Sequence, residues 1–320
     1  MIKVTPQSFR LARAFTISRG SRLEAHVLTV RISRDGATGW GECVPYARYQ
    51  ETPESVAAQI ESLPHDIGRV ELQEALPAGA ARNAVDCALW DWEAKKTGTR
   101  AWNLARLRPP GPIPVAFTLS LDTPEQMEYE ARQHAGQRLL KVKLGTPNDI
   151  PRLEAVRRGA PEVKIIVDAN EGWSAAEYQD LVPYLVNLGV LMVEQPVPAA
   201  DDGLLAEIDR LLPVCADEAV HDRRSLPTLA GKYDMINIKL DKTGGLTEAL
   251  ELRREAEALG YGIMAGCMVG SSLAMAPATL IAQGAAFADL DGPLLLAEDR
   301  DHPLHYDTAG VHPPDVALWG

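Results

Sequence analysis

The segment from residue 139 to residue 240 decides the fold, because one pattern recurs in it at nearly regular intervals. Short apolar runs stand at LLKVKL (139–144), VKIIVD (163–168), VLMVE (190–194), PVCAD (213–217) and MINIKL (235–240). Helix-like sequence lies between them, and Ser174 with Glu177 has the spacing of a helix-capping box. Apolar runs that alternate with helices are typical of a parallel sheet whose strands are joined by crossover helices.

The same pattern continues on both sides of this segment. Further apolar runs at Ile113–Leu119, Gly262–Cys267 and Ala285–Leu290 bring the expected strands to eight. Eight strands with intervening helices favour a closed α/β barrel of the TIM type over an open doubly wound sheet. An open sheet that binds a dinucleotide carries a glycine-rich turn after its first strand, whereas residues 119–123 (LSLDT) contain no glycine.

The chain before the barrel has a different organisation. Two strand-like runs, Ala25–Ile32 and Ala37–Glu42, flank Asp35-Gly36 and predict a β-hairpin. Helices are predicted from Thr52 onward and over residues 80–96, and the proline-rich stretch at 108–112 ends this α+β region. We therefore expect an α+β domain over residues 1–110, a barrel over 111–293, and a C-terminal segment, 294–320, that returns to the first domain.

Composition and charge exclude several classes of protein. The chain has 320 residues with 32 Lys and Arg against 44 Asp and Glu, a net charge of −12, which argues against nucleic acid and acidic membranes as partners. Its 4 cysteines lack the spacing of a disulfide framework or zinc site. The start of the chain lacks the apolar core of a signal peptide, and the uncharged stretch 258–288 is rich in glycine, so we expect it to be buried in the barrel. These features favour a cytoplasmic protein.

Charged residues stand at the ends of the middle strands. Lys143, Asp168, Glu194, Asp217 and Lys239 follow one another at separations of 25, 26, 23 and 22 residues, about one β/α unit each. In a barrel this repeat places all of them at the C-terminal mouth, where such folds carry their active sites. Each acid taken alone could instead pair with a neighbouring lysine or cap the next helix.

Three carboxylates on consecutive strands would repel one another, and a hard divalent cation such as Mg²⁺ resolves that repulsion. Lys141 and Lys143 point to the same side of their strand, and two ammonium groups near a dication are expected to lower a lysine pKa. Lys239 lies on the opposite wall. A metal that stabilises an ene-diolate, with one lysine on each face of a carbon, suits removal and return of a proton α to a carboxylate.

A family resemblance rests on these same residues. The motifs KVK (141–143), DAN (168–170), EQP (194–196), DE (217–218) and NIK (237–239) resemble those of the enolase superfamily, in its muconate-lactonizing subgroup. The segments RGSR (19–22), GECVPY (41–46) and ADLD (288–291) narrow the resemblance to the dipeptide epimerases, of which L-Ala-D/L-Glu epimerase is the type. One departure is Ala219, where relatives often have serine.

The resemblance implies a (β/α)7β modified TIM barrel with an N-terminal α+β capping domain. It implies Lys143 and Lys239 as acid/base residues, and one Mg²⁺ on Asp168, Glu194 and Asp217. It further implies that the substrate is a dipeptide, and that the family often forms homo-oligomers; a role in peptidoglycan recycling would follow from the substrate. The implied substrate-binding residues are Lys141, Asp289 and Asp291 for the backbone charges, with Thr118 and Cys267 nearby, and Arg22 or Arg48 for an acidic side chain.

Two alternatives remain open from the sequence. A cycloisomerase or dehydratase of the same superfamily, such as muconate cycloisomerase or o-succinylbenzoate synthase, would use the same lysines and metal on a ligand without an ammonium group. A non-catalytic ligand-binding relative would not need the lysines. We interpret His302 and His305, in a proline-rich C-terminal segment, as structural.

Overall fold

The computed structural model describes all 320 residues. The chain opens with a three-stranded antiparallel sheet of β1 (Ile2–Ile17), β2 (Gly20–Arg34) and β3 (Ala37–Cys43). The predicted hairpin joins β2 to β3, and Asp35 and Gly36 both have the positive φ that a tight primed turn requires. The long strand β1 was not predicted: its side chains are mostly exposed, and its alternating apolar residues fall in three short separate runs, Ile2/Val4, Phe9/Leu11 and Phe15/Ile17.

Four helices follow this sheet: α1 (Pro53–Glu61), α2 (Arg69–Ala75), α3 (Ala80–Thr97) and α4 (Ala101–Leu104). Helix α3 is buried along most of its length and packs against β3. Two glycines allow this approach, since a Cβ on Gly39 or Gly41 would lie 2.1 Å from a main-chain oxygen of α3. The sheet and α3 therefore pack backbone to backbone.

The rest of the chain forms a barrel of eight parallel strands, neighbouring in chain order. The strands are β4 (Phe117–Leu119), β5 (Leu139–Lys143), β6 (Lys164–Asp168), β7 (Val190–Glu194), β8 (Val214–Ala216), β9 (Met235–Lys239), β10 (Gly262–Gly266) and β11 (Phe287–Asp289). The amide of Ala116 donates to the carbonyl of Ala288 at 2.8 Å and links the first strand to the last. The prediction of a TIM-type barrel with an N-terminal α+β unit is confirmed.

Helices connect most of these strands: α5 (Pro124–Gln133), α6 (Asp149–Gly159), α7 (Ala175–Asn187), α8 (Leu226–Leu229), α9 (Leu240–Thr243), α10 (Leu246–Ala258) and α11 (Ser272–Ala282). The capping box at Ser174 and Glu177 is present. The first strand is shorter than the predicted run from Ile113, because Pro114 has no N–H to donate and Ile113 pairs with Val311 instead.

Apolar side chains fill the barrel below its mouth. One small cluster takes a residue from or beside each of seven successive strands: Ala116, Leu139, Ile166, Met192, Cys215, Met235 and Met264. This layer closes the barrel on the side where the strands begin.

The last residues return to the N-terminal helices. After the short strands β12 (Tyr306–Asp307) and β13 (Gly310–Val311), the indole of Trp319 donates to the carbonyl of Cys87 at 2.9 Å. The amide of Gly320 donates to Asp91 Oδ1 at 2.6 Å. None of the helices is both long and apolar enough to cross a membrane.

Candidate active site

Charged side chains at the carboxyl ends of neighbouring strands converge at the barrel mouth. Lys143 ends β5, Asp168 ends β6, Glu194 ends β7 and Lys239 ends β9, while Asp217 directly follows β8. The strand register places Lys143 beside Asp168, and Asp168 beside Glu194. All five side chains are buried. The structure thus brings together the groups that the sequence spacing placed on one rim.

The first two acids are each held from one side by a fixed donor. Asp168 Oδ1 accepts from the amide of Asn170 at 2.9 Å, and its Oδ2 accepts from Lys143 Nζ at 2.6 Å. Glu194 Oε1 accepts from Asn237 Nδ2 at 2.7 Å, whereas its Oε2 accepts no hydrogen bond although it is fully buried. One oxygen of each acid is therefore fixed, and the other faces the lysines.

Asp217 shows the same division with two lysines. Its Oδ1 lies 2.5 Å from Lys242 Nζ and its Oδ2 lies 2.6 Å from Lys239 Nζ. Lys242 also donates to the main-chain oxygens of Asp217 and Asn237. Lys242 was not predicted from the sequence; the available signal was its place in the turn of helix directly after β9.

Lys141 lies at the centre of the cluster. Its Nζ is 2.7 Å from Asp289 Oδ2, 2.6 Å from Glu194 Oε2 and 3.1 Å from Asp168 Oδ2. The contact with Glu194 lacks the alignment of a hydrogen bond, which leaves that carboxylate oxygen without a directed donor. Lys141 thus joins the acid trio to the pair of aspartates at the eighth strand.

In direct contact with the acids, Lys141 and Lys239 have raised pKa values, whereas a lowered lysine pKa beside a dication stays a prediction. Burial opposes the charged form of Lys141, but the carboxylates of Asp289, Glu194 and Asp168 outweigh it and raise its pKa well above the usual range. For Lys239, burial likewise lowers the pKa, but the carboxylate of Asp217 outweighs it, so the pKa of Lys239 is also raised. The acids therefore hold both amines as ammonium ions when they pair with them directly.

The acids respond in different ways to the same environment. Burial, reinforced by Asp168, raises the pKa of Glu194 to about 7. Burial also disfavours the charged form of Asp217, but Lys239 and Lys242 overcome it and lower its pKa well below the usual range. Glu194 is consequently the acid whose negative charge is least compensated by its neighbours.

The eighth strand contributes a pair of aspartates held by Thr118. The amide of Thr118 donates to Asp291 Oδ2 at 2.6 Å, and its hydroxyl donates to Asp289 Oδ1 at 3.3 Å. Burial and the charge of Asp289 raise the pKa of Asp291 to about 7. Cys267 lies close enough for both aspartates to raise its thiol pKa, behind the larger effect of burial.

The tip of the β1–β2 hairpin closes over the barrel mouth. Arg19 in the turn donates to the carbonyl of Asn170 at 2.7 Å and to Glu218 Oε1 at 2.8 Å, and Ser18 donates to the same carbonyl at 3.2 Å. The amide of Leu121 donates to the carbonyl of Thr16 at 3.0 Å. These bonds attach the N-terminal sheet to the ends of the first, third and fifth barrel strands.

Two arginines were candidates for reading an acidic side chain, and the structure separates them. Arg48 forms a bidentate pair with Glu171, with N–O distances of 3.0 and 2.9 Å. Arg22 forms no ion pair, and its guanidinium lies 5.5 Å from the ring centre of Phe15. Lys143 Nζ is 5.9 Å from the centre of the same ring, so Phe15 lies close to both Arg22 and Lys143. Phe15 was not predicted from the sequence because it lies in strand β1, which was itself not predicted.

Comparison with known families agrees with this arrangement. Residues 1–105 match the N-terminal domain of the mandelate racemase/muconate lactonizing enzyme family, and residues 104–317 match the enolase C-terminal domain-like family. The chain belongs to the enolase superfamily. The two matches together span almost the whole chain, as the family resemblance in the sequence implied.

Individual relatives are similar over most of their length. L-Ala-D/L-Glu epimerase of Escherichia coli (strain K12) is 45% identical over 97% of this chain and 99% of that protein. N-acetyl-D-glutamate racemase of a Pseudoalteromonas species is also 45% identical, over 88% of this chain and 91% of that protein. A crystal structure from Agrobacterium tumefaciens, with homology to dipeptide epimerases and bound sodium and L-Ala-L-Glu, is 51% identical with a TM-score of 0.98, covering 100% of this chain and 99% of that one.

The acid trio fits a hard divalent cation. Asp168, Glu194 and Asp217 supply only oxygen donors, as Mg²⁺ prefers, and each has one oxygen anchored while the other faces the centre. Glu194 Oε2 is buried, accepts no hydrogen bond and lies 2.6 Å from Lys141 Nζ, so this oxygen faces positive charge and suits a cation. The site therefore matches a metal that keeps open positions for substrate.

Proposed function

We propose that the protein epimerises a dipeptide, with L-Ala-D/L-Glu as the substrate, by moving one α-proton between opposite faces of a carbon. The observation that carries the proposal is that Lys143 on β5 and Lys239 on β9 approach one acid trio from opposite walls of the barrel. Lys143 pairs with the first acid and Lys239 with the last, with Glu194 between them. A carbon held over the trio would have an amine on each side.

The roles of the residues follow from this geometry. Asp168, Glu194 and Asp217 would hold one Mg²⁺. There it would supply positive charge that stabilises the negative charge developing on the substrate carboxylate when the α-proton is removed. One lysine, as the neutral amine, takes the α-proton on its face, and the other, as the ammonium ion, gives a proton to the opposite face.

The remaining side chains orient the dipeptide. Lys141, at the centre of the cluster, is placed to contact the substrate carboxylate. Asp289 and Asp291 supply two buried carboxylates for the α-ammonium group, with Thr118 fixing both. Cys267 lies beside them.

Arg22 is placed to read an acidic second residue. It carries an unpaired positive charge near the reacting end, because its guanidinium faces Phe15 and has no carboxylate partner. Arg48 is already neutralised by Glu171. An unpaired, half-buried cation favours Glu over an apolar side chain at that position of the dipeptide.

The direct test follows exchange of the Glu α-proton in D₂O with L-Ala-L-Glu and L-Ala-D-Glu, in the presence of Mg²⁺. Wild type should exchange and epimerise both. Lys143→Met and Lys239→Met should each lower the rate of epimerisation by about 10²–10⁴-fold or more. Each variant should still exchange the α-proton of only one of the two epimers. Absence of exchange by wild type would exclude this substrate, and loss of exchange with both epimers in each variant would contradict opposite-face transfer.

A second candidate is racemisation of an N-acylated amino acid such as N-acetylglutamate, as in the Pseudoalteromonas relative. One observation favours it: Lys141 and Thr118 already occupy both oxygens of Asp289, so no ammonium group is needed to satisfy that aspartate. Asp289→Asn separates the two functions. The variant should lose activity on L-Ala-L-Glu. It should show activity on N-acetylglutamate only if the second candidate is correct.

We propose a division into residues 1–110, 111–293 and 294–320, a cytoplasmic location, a role in peptidoglycan recycling and assembly into homo-oligomers. The division is supported by the return of the C-terminal segment to the first domain, where the amide of Gly320 donates to Asp91. The pathway role depends entirely on the dipeptide substrate.

A further inference from the structure

The C-terminal hairpin carries three side chains that the proposed reaction does not use. His305 precedes β12, Asp307 ends it, and His312 follows β13. One potential ligand atom from each of them lies within 4.8 Å of the other two. The hairpin is separated in sequence from every residue of the acid trio.

The distances between the potential ligand atoms are close to those between the ligand atoms of a bound metal ion. His312 Nε2 is 2.8 Å and His305 Nε2 is 3.5 Å from Asp307 Oδ2. Ligand atoms about 2.0–2.2 Å from a tetrahedral Zn²⁺ are about 3.3 Å from one another. The side chains of His305, Asp307 and His312 are 69%, 40% and 32% exposed, so small rotations can close the set around an ion.

Main-chain hydrogen bonds hold the hairpin that carries the three side chains. The amide of His312 donates to the carbonyl of His305 at 2.9 Å and extends the ladder of the hairpin. Asp307 Oδ1 accepts from the amide of Ala309 at 2.7 Å, which leaves Oδ2 directed at both imidazoles. Val311 exchanges two hydrogen bonds of 2.9 Å with Ile113 and attaches the hairpin to the start of the barrel.

We propose that His305, Asp307 and His312 form a second metal site that takes Zn²⁺. Two imidazoles and one carboxylate select a borderline transition metal, whereas Mg²⁺ prefers oxygen ligands, so this site and the acid trio differ in chemistry. Bound Zn²⁺ would tie together the two strands of the hairpin and keep a fourth position for water. His305, which the sequence interpretation treats as structural, would then be a metal ligand.

The position of the site gives the ion a stabilising role. Tyr306, between His305 and Asp307, faces the other side of the strand and donates its hydroxyl to the carbonyl of Leu290 at 2.7 Å. Leu290 lies between Asp289 and Asp291. A metal on the outer face of the hairpin would therefore hold the element that packs against the eighth barrel strand, without touching the reacting groups.

The test is calorimetric titration of Zn²⁺ into the full-length protein with Mg²⁺ saturating, together with thermal unfolding with and without Zn²⁺. Wild type should bind Zn²⁺ with a component that His305→Ala and His312→Ala each weaken at least tenfold. The matched control is His302→Ala, an exposed histidine of the same segment outside the cluster. It should bind Zn²⁺ as wild type does.

Zn²⁺ should also raise the unfolding temperature of wild type and of His302→Ala more than that of the two cluster variants. Epimerase or racemase activity should be the same in all four proteins under Mg²⁺ alone. Absence of Zn²⁺ binding by wild type, or binding that both cluster variants retain at full affinity, would overturn the proposal. These outcomes are independent of the substrate and so do not depend on the proposed function.

Discussion

Replacing Lys242 by methionine tests whether the second lysine on Asp217 is needed to hold that acid. Lys242 is 1% exposed, and its Nζ bonds to Asp217 Oδ1 and to the carbonyl of Asn237 at 3.1 Å. Methionine matches the stem of the side chain but leaves these buried oxygens without a donor. Removing one partner of a buried ion pair costs about 3–5 kcal/mol.

That cost converts to a measurable shift in unfolding temperature. With an unfolding entropy of about 2.1 cal/mol/K per residue, a chain of 320 residues has about 0.7 kcal/mol/K in total. The Lys242→Met variant should therefore unfold about 4–7 °C below wild type in differential scanning calorimetry with EDTA, which removes any stabilisation by divalent metal.

The matched control is Lys96→Met, which removes an exposed lysine paired with Asp35 at 2.6 Å. An exposed pair contributes about 0–1 kcal/mol, so this variant should shift the transition by no more than about 1.5 °C. If Lys242→Met shifts the transition no further than Lys96→Met does, Asp217 does not depend on Lys242 and the described division of its two oxygens is wrong.

Three further predictions concern pH, packing and specificity. Burial, with Glu51 and Glu42 nearby, raises the pKa of Asp241 to about 7, so the native state keeps a proton that the unfolded chain releases above about pH 4. The free energy of unfolding that this group contributes is therefore lost as pH rises from about 4 to 7. In urea unfolding, the stability of Asp241→Asn relative to wild type should increase between pH 5 and pH 8. A stability difference that does not vary with pH would contradict this. Gly41→Ala places a Cβ 2.1 Å from the carbonyl of Ala84 and should cost about 1–3 kcal/mol in urea unfolding, whereas Gly111→Ala, with nothing within 4 Å, should change little. Arg22→Gln should raise KM for L-Ala-L-Glu by about 10–100-fold, the loss of one charge-assisted hydrogen bond, while Arg48→Gln should change it far less; equal effects would reject Arg22 as the specificity residue.

Much of the fold could be predicted from the sequence because the patterns that predict it are local. The alternation of strands and helices, the hairpin at Asp35-Gly36 and the capping box at Ser174 each depend on a few adjacent residues. Missed or shortened elements had non-local causes. Strand β1 is mostly exposed and depends on pairing with β2, and the first barrel strand is shortened where Ile113 pairs with the distant Val311.

By itself, the sequence determined that acids and amines recur once per β/α unit, and hence that they share one rim of a closed barrel. Only the tertiary structure decided which atoms meet: that Lys242 supports Asp217, that a buried oxygen of Glu194 faces Lys141 without an aligned hydrogen bond, and that Arg48 is neutralised while Arg22 is not. The physical reason is that spacing along the chain fixes which face of an element a residue occupies. Pairing between charges depends instead on distances of a few ångströms between segments that are remote in sequence.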